Sequence, residues 1–179
     1  MALLTRLTIE DFEKLPEAIA VNRELIDGEL VDVSGNSGNH NALRDWIGAL
    51  LLLHVDQNKL GRVLAEQEFD FQGNAHGPDV SFFGRDKERL YDGKLRVQRF
   101  VPDLAIEIVS QNDKFETLMK KAQRYRDCGV SEVWIFSIEM REAYLFSDRQ
   151  RLILGQDSEF RSDLIPGFSI RIGDLLDRL

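Results

Sequence analysis

The stretch Phe100–Ser110, FVPDLAIEIVS, decides the fold, and the rest of the chain is organised around it. Its apolar residues form the nearly continuous run that is typical of a strand covered on both faces. Glu107 interrupts this run, and an ionised carboxylate is costly to bury without compensation. The sequence therefore predicts a central strand whose glutamate has a partner: either an Arg or Lys in an ion pair, or a metal or catalytic site.

Length and composition indicate one soluble domain. The chain has 179 residues, of which 43% are hydrophobic and 30% charged. This is enough for one ordinary core, so we predict a single domain over residues 1–179. The sequence shows neither a membrane-spanning run nor a signal peptide, and its one cysteine, Cys128, cannot form an intrachain disulfide. We expect a cytoplasmic protein that does not associate with membranes.

The net charge of -8 argues against a protein that coats nucleic acid without specificity. Two segments depart from this average. Residues 85–99 contain six basic and three acidic residues, and residues 114–126 contain five basic and one acidic. Each segment is either a solvated face or a positive surface beside the site at Glu107.

An N-terminal β-hairpin is predicted by the pair Asp27–Gly28, which favours a two-residue turn. The turn separates two short strands over residues 21–26 and 29–33. Pairing across it sets Glu24 opposite Val31 and Ile26 opposite Glu29, so the two glutamates share one face. They are either exposed hairpin acids or outer members of an acidic site.

A turn-rich loop over residues 34–39 leads into a helix predicted from His40 to about His54. Its apolar stripe is wide enough to pack flat on a sheet. His40 at the helix start either contacts a substrate phosphate or is a surface residue near the cap. His54 and His76 share no metal-ligand spacing with His40, which disfavours a zinc site.

Two further strands are predicted before the Glu107 strand. The first alternates from Gly61 to Phe71, with Val63, Ala65, Gln67, Phe69 and Phe71 on one side. The second, Pro78–Phe83, carries an acid at its start, and Asp79 and Ser81 face one way.

A helix after the Glu107 strand is predicted to start beyond a cap region at residues 110–113 and to end at Gly129. At 100° per residue, Lys114, Lys121 and Tyr125 share the flank of its apolar face, whereas Lys120 and Arg124 point away. The helix leads into an apolar strand over residues 133–136. A strand-helix-strand connection of this kind joins parallel strands.

Asp79, Glu107 and Lys121 together are the parts needed for metal-assisted phosphodiester hydrolysis. Two carboxylates can hold Mg²⁺ or Mn²⁺, which polarises a phosphate and makes bound water more acidic. A lysine ammonium can orient the attacking water or neutralise developing charge.

The sequence resembles the PD-(D/E)XK nuclease superfamily, and more closely a bacterial family of restriction-endonuclease-like proteins that is abundant in cyanobacteria. The resemblance covers most of the chain. It is carried by Glu24–Leu30, Ser37 with His40, Pro78–Val80, Pro102–Leu104, Glu107–Ser110, Lys121 with Tyr125, Gly129–Trp134 and Pro166–Phe168.

The resemblance implies an α/β fold with a restriction-endonuclease-like core, in which helices flank a central mixed β-sheet. It implies Asp79 and Glu107 as metal ligands, a further catalytic glutamate supplied by Glu24 or Glu29, and Lys121 as the catalytic lysine. The superfamily lysine normally lies two residues after the acid, where this chain has Val109. The closer family is similar to this chain in placing it on the next helix.

The expected partner is nucleic acid, with DNA the first choice, and the expected cofactor is Mg²⁺ or Mn²⁺. His40 and Lys114 are the candidate substrate contacts, and the alternating C-terminal strands, like the resemblance, are compatible with a homodimer. Two other functions remain open at this stage. One is a catalytically silent nucleic-acid or protein-binding module with the same fold, and the other is a metal-dependent hydrolase of smaller phosphate esters.

Overall fold

A computed structural model describes residues 6–33, 37–110 and 114–179, without the side chain of Phe115. Its helices are α1 (Ile9–Glu13), α2 (Glu17–Ala20), α3 (Gly38–Gln57), α4 (Arg85–Glu88), α5 (Phe115–Asp127) and α6 (Ile172–Leu176). Its strands are β1 (Arg23–Ile26), β2 (Glu29–Asp32), β3 (Gly61–Ala65), β4 (Glu68–Asp70), β5 (Ala75–His76), β6 (Val80–Gly84), β7 (Val97–Gln98), β8 (Leu104–Ile108), β9 (Glu132–Ser137), β10 (Glu142–Ser147), β11 (Arg151–Gly155), β12 (Glu159–Arg161) and β13 (Ser169–Arg171).

The central sheet has six strands in the order β11-β10-β9-β8-β6-β3. The predicted Glu107 strand is β8, inside this sheet, and all five of its residues are buried. It runs antiparallel to β6, with Val80 opposite Ile106, and parallel to β9, with Glu107 opposite Ile135. The predicted central mixed sheet is confirmed, as is the parallel pairing of the two strands that α5 connects.

Helices cover both faces of this sheet. On one face, α3 packs Leu43 and Ile47 against Ile106 and the other even-numbered residues of β8. On the opposite face, α5 packs Leu118 and Tyr125 into a second core with Ala105. Because side chains alternate along a strand, Glu107 shares the face of Ala105 and points toward α5.

The predicted hairpin is β1 and β2, at the edge of a second sheet with the order β2-β1-β5-β4-β7. Its register is the predicted one, with Glu24 opposite Val31 and Ile26 opposite Glu29. Asp27 and Gly28 both have positive φ, 51° and 81°, as a type I′ turn requires. A Cβ at residue 28 would also lie 2.5 Å from Cβ of Arg6, so this turn needs glycine on steric grounds as well.

The single strand predicted from Gly61 to Phe71 is wrong. The segment forms two strands in different sheets: β3 pairs with β6, whereas β4 pairs with β5 and β7. Glu66, between them, has a φ of 52°, a left-handed conformation that redirects the chain and interrupts the alternation. Val63 and Leu64 of β3 pack against different cores, because both faces of the central sheet are covered.

One predicted helix start changes. Helix α3 begins at Gly38, two residues before the predicted start, because the Ser37 hydroxyl accepts a hydrogen bond from the His40 amide. Residues 34–36 of the predicted loop, and residues 111–113 of the predicted cap of α5, lie outside the described parts of the chain. Within residues 6–33, 37–110 and 114–179, no helix has the length and apolar character needed to cross a bilayer.

Candidate active site

Asp79 and Glu107 meet at the junction of β6 and β8. Asp79 immediately precedes β6, and continuing the observed register by one residue sets it opposite Glu107. Directly opposed residues of an antiparallel pair point to the same face, with Cβ atoms about 4.5–5.5 Å apart. The backbone amide of Ile108 donates to Oδ2 of Asp79 at 2.7 Å, which fixes this carboxylate against β8.

Lys121 on α5 points into the same region. Its Nζ lies 3.0 Å from Oε1 of Glu107 and 3.0 Å from Oε1 of Glu24. The Tyr125 hydroxyl, one helical turn further on, donates to Oε1 of Glu107 at 2.7 Å. The flank predicted from helical geometry therefore faces the acids, and the ammonium bridges two carboxylates that come from different sheets.

Glu24 is brought to the site by the hairpin and held by two neighbours. Nδ1 of His76 lies 2.9 Å from Oε2 of Glu24, and the amide of Gly77 donates to Oε1 at 3.2 Å. His76 belongs to β5, which pairs with β1. Sequence reasoning missed this histidine because 52 residues separate it from Glu24 and no local spacing connects them.

His40 lies behind Asp79, not at the surface. Its side chain is 3% exposed, and its Nε2 lies 3.2 Å from Oδ2 of Asp79. Within the described residues its Nδ1 is buried without a hydrogen-bond partner. The start of α3 thus supplies a second support for the Asp79 carboxylate, and the contact of His40 with a phosphate stays a prediction.

The buried carboxylates and lysine have strongly shifted pKa values. Burial raises the pKa of Glu107 to about 7; the Lys121 charge opposes this rise, while the negative charges of Asp79 and Glu24 add to it. Burial would also raise the pKa of Glu24, but the charge of Lys121 and the hydrogen bond from His76 lower it to about 2. For Lys121, burial is outweighed by Glu107 and Glu24, which raise its pKa above the ordinary value.

The two histidines shift in opposite directions. Burial would lower the pKa of His40, but its hydrogen bond to Asp79 and the charge of that carboxylate produce a net rise. Burial lowers the pKa of His76 and outweighs its contact with Glu24, so the imidazole is neutral at pH 7. A neutral His76 can donate through Nδ1 to the ionised Glu24.

The shifts of Glu107 and Glu24 predict how pH affects the metal-free protein. Between about 4.5 and 7 the unfolded chain has lost a Glu107 proton that the folded chain retains, so this group lowers the free energy of unfolding as pH rises. Glu24 has the opposite effect. Its ionised side chain stabilises the folded state fully above about pH 4.5, and this stabilisation is lost as the pH falls toward 2.

Thermal unfolding in EDTA from about pH 5 to 8 measures the Glu107 contribution when wild type is compared with Glu107→Gln. We expect the wild-type melting temperature to fall relative to that of the variant across this window. Parallel curves for the two proteins would contradict the raised pKa.

A cavity of about 910 Å³ opens above these residues. Lys114 is exposed and lines it, whereas Glu29 is exposed on β2 and is not among its lining residues. Lys120 and Arg124 were both predicted to point away. Lys120 lines the cavity only with a side chain that is 74% exposed, whereas for Arg124 the prediction is wrong, since its Nη2 lies 3.3 Å from Oδ2 of Asp27. Helical geometry predicted only that Arg124 points away from the central sheet. It could not show that the hairpin lies against that side of α5.

The donor set fits a hard divalent cation. No group of three or more His, Cys, Asp or Glu in the described ranges is placed to hold a metal ion as it stands. Mg²⁺, however, is commonly bound through only one or two carboxylates, together with water and substrate phosphate. Asp79 and Glu107 supply two, and the charge of Lys121 does not outweigh the burial and the neighbouring carboxylates that raise the pKa of Glu107.

The fold and this group of acids around a half-buried lysine define a restriction-endonuclease-like protein. The model of the Uma2 family, described as "Putative restriction endonuclease", matches residues 9–173, and the chain belongs to this family. Among solved structures, a protein from Anabaena variabilis ATCC 29413, described as a "putative nuclease belonging to DUF820", superposes with a TM-score of 0.84 at 19% identity. The match covers 96% of this chain and 98% of that one, and at this identity it shows a shared fold. No curated protein matches the sequence.

Proposed function

We propose that this protein is a metal-dependent endonuclease that hydrolyses phosphodiester bonds in DNA. The observation that carries the proposal is the Lys121 ammonium, which lies 3.0 Å from both Glu24 and Glu107 at the site of the Asp79 carboxylate. Membership of the Uma2 family supports the reaction class. Mg²⁺ or Mn²⁺ is the proposed cofactor because the available donors are carboxylate oxygens.

Asp79 and Glu107 are the proposed ligands of the ion. The contacts described above use Oδ2 of Asp79 and Oε1 of Glu107, so the second oxygen of each carboxylate is the proposed donor. When bound, the ion would polarise the phosphate and make its water more acidic. The Ile108 amide and His40 support this by holding Asp79 in one orientation.

Lys121 acts in this proposal through its charge. Its raised pKa keeps the ammonium protonated at neutral pH, so it cannot accept a proton as a general base. It can orient the attacking water and stabilise the negative charge that develops on the phosphate. Glu24, ionised and hydrogen-bonded to His76 and Gly77, holds the ammonium in place. This makes Glu24, and not Glu29, our choice for the further catalytic glutamate.

Nicking of supercoiled plasmid DNA tests the function. We expect the wild-type protein to nick plasmid with Mg²⁺ or Mn²⁺ and to be inactive in EDTA. Asp79→Ala removes one of two proposed ligands and should abolish the metal-dependent nicking. Activity that persists in Asp79→Ala, or that does not need a metal, would contradict the proposed mechanism.

A catalytically silent binding module is the second candidate. It is favoured by the ion pairs of Lys121 with Glu24 and Glu107, which let the acids be buried without any metal. If the wild-type protein binds nucleic acid but does not cleave it in the presence of Mg²⁺ or Mn²⁺, this candidate is supported over the nuclease.

A further inference from the structure

The cavity above the acids has an apolar wall on the hairpin side. This wall consists of Val21, Val31 and Val33, which line the cavity and are 54%, 41% and 42% exposed. Val31 lies opposite Glu24 in the hairpin register, so the wall begins directly above a buried acid. Exposed apolar side chains grouped at the rim of a polar site are typical of a surface that a ligand covers.

A second wall of the cavity is basic and is formed by α5 and its N-cap residue. This wall consists of Lys114, Lys120 and Arg124, which line the same cavity. The only ion pair described for Lys120 is with Glu116, at 2.7 Å, and both side chains are more than 70% exposed. Pairs this exposed are weak, so the ammonium can exchange Glu116 for a phosphate. The net charge of the chain is negative, and the positive charge here is therefore local.

The acids form the floor of this cavity and are barely accessible. The side chains of Glu24, Glu107 and Asp79 are only 9%, 8% and 13% exposed. A scissile phosphate must therefore enter the cavity to reach them. A volume of about 910 Å³ is at the upper end of the range of roughly 300–1,000 Å³ for small-ligand pockets. It suits a few nucleotides of one strand.

We propose that this cavity takes an unpaired DNA strand, with its phosphates along the basic wall and its sugars and bases against the apolar wall. The inference rests on the proposed function, because it names the substrate class of the same site. In a duplex the bases are paired and stacked, so they present no free face to the valines. In an unpaired strand those faces are available. Proteins that bind single strands without reading sequence combine a basic groove with side chains on which the bases pack, most often aromatic ones. Here the three valines supply the apolar surface.

Binding in EDTA tests the inference without requiring cleavage. The full-length protein is titrated into a labelled oligodeoxynucleotide of mixed sequence, and into the same strand annealed to its complement, with fluorescence anisotropy as the readout. We expect the single strand to bind at least ten-fold more tightly than the duplex. Equal or tighter binding of the duplex, or binding of neither, would overturn the inference.

Variants of the two walls make the test specific. Val31→Thr/Val33→Thr keeps β-branched side chains but replaces methyl groups by hydroxyls, and should weaken single-strand binding several-fold with little effect on the duplex. The matched control is Ile153→Thr, at a 67% exposed residue of β11 outside the cavity, which should change neither affinity. Lys114→Ala should weaken single-strand binding and lower the dependence of log K on log salt by about 0.7.

Failure of this inference can be distinguished from failure of the proposed function. Preferred binding of the single strand without cleavage in Mg²⁺ or Mn²⁺ would support the inference and contradict the nuclease. Cleavage of duplex DNA together with weaker binding and no cleavage of the single strand would contradict the inference and support the nuclease. Loss of single-strand preference in Val31→Thr/Val33→Thr, but not in Ile153→Thr, would locate the preference in the apolar wall.

Discussion

Lys121→Ala is expected to lower the rate of DNA cleavage by about 10² to 10³, the usual loss when one preorganised electrostatic group is removed. The ammonium lies 3.0 Å from both Glu24 and Glu107, and no other lysine or arginine is described in contact with these two acids. The loss should appear in the rate constant of the cleavage step, measured in single-turnover reactions with saturating protein. Metal binding should persist, because the lysine is not a ligand.

Lys120→Ala is the comparison for this prediction. Its side chain is 74% exposed and pairs with Glu116 at the rim of the cavity. Removing it should weaken substrate binding and leave the rate at saturation nearly unchanged. Equal rates at saturation for Lys121→Ala and Lys120→Ala would contradict the assigned role.

A structural cost accompanies Lys121→Ala. The change leaves Glu24 and Glu107 buried without their cation, and breaking a buried ion pair typically costs about 3–5 kcal/mol. Assays therefore need the melting temperature of each variant beside its rate. The metal-free melting temperature of Lys121→Ala should fall more than that of its metal-bound form, since the ion offsets part of the missing charge.

Mg²⁺ or Mn²⁺ is expected to raise the melting temperature of the wild-type protein, and Glu107→Gln is expected to remove most of this rise. At a metal concentration of 100 times Kd, preferential binding to the folded state adds about 2.7 kcal/mol, equivalent to roughly 5–10 °C in a chain of this size. Gln keeps the shape of the side chain and its ability to accept from Tyr125, so the fold should survive.

The control is Glu139→Gln, an exposed acid in the turn between β9 and β10 that is not among the cavity-lining residues. It should leave the metal response unchanged. An equal metal response in wild type and Glu107→Gln would mean that Glu107 is a structural member of the ion pair with Lys121.

The parts of the fold that depend on local sequence were predictable. The unbroken apolar run of β8 and the Asp27–Gly28 turn each specify their structure within a few residues, and the turn also fixed the hairpin register. Helical geometry was sufficient to direct Lys121 toward the sheet, because α5 lies directly against β9 and β8 on that face.

The parts that depend on the second sheet were not predictable. The contact of His76 with Glu24 arises because β5 pairs with β1, and the direction of Arg124 arises because the hairpin turn lies against α5. No sequence period records this packing. The break at Glu66 was not predicted either, because the apolar alternation continues after this single left-handed residue and so conceals the change of sheet. In the structure Glu24 lines the cavity and Glu29 does not, a difference that the shared hairpin face alone could not predict.

The homodimer and the cytoplasmic location stay predictions. β11 is the edge strand of the central sheet, with Ile153 67% exposed, which is compatible with a second copy at that edge.

The most direct test of the proposed site is cleavage of a mixture of DNA and RNA substrates in Mg²⁺ or Mn²⁺ by wild type beside Glu107→Ala, purified in the same way. The site predicts metal-dependent cleavage of DNA by the wild-type protein, and no cleavage by a variant that is still folded by circular dichroism. Undiminished cleavage by folded Glu107→Ala, or no cleavage of any substrate by the wild-type protein in either metal, would contradict it.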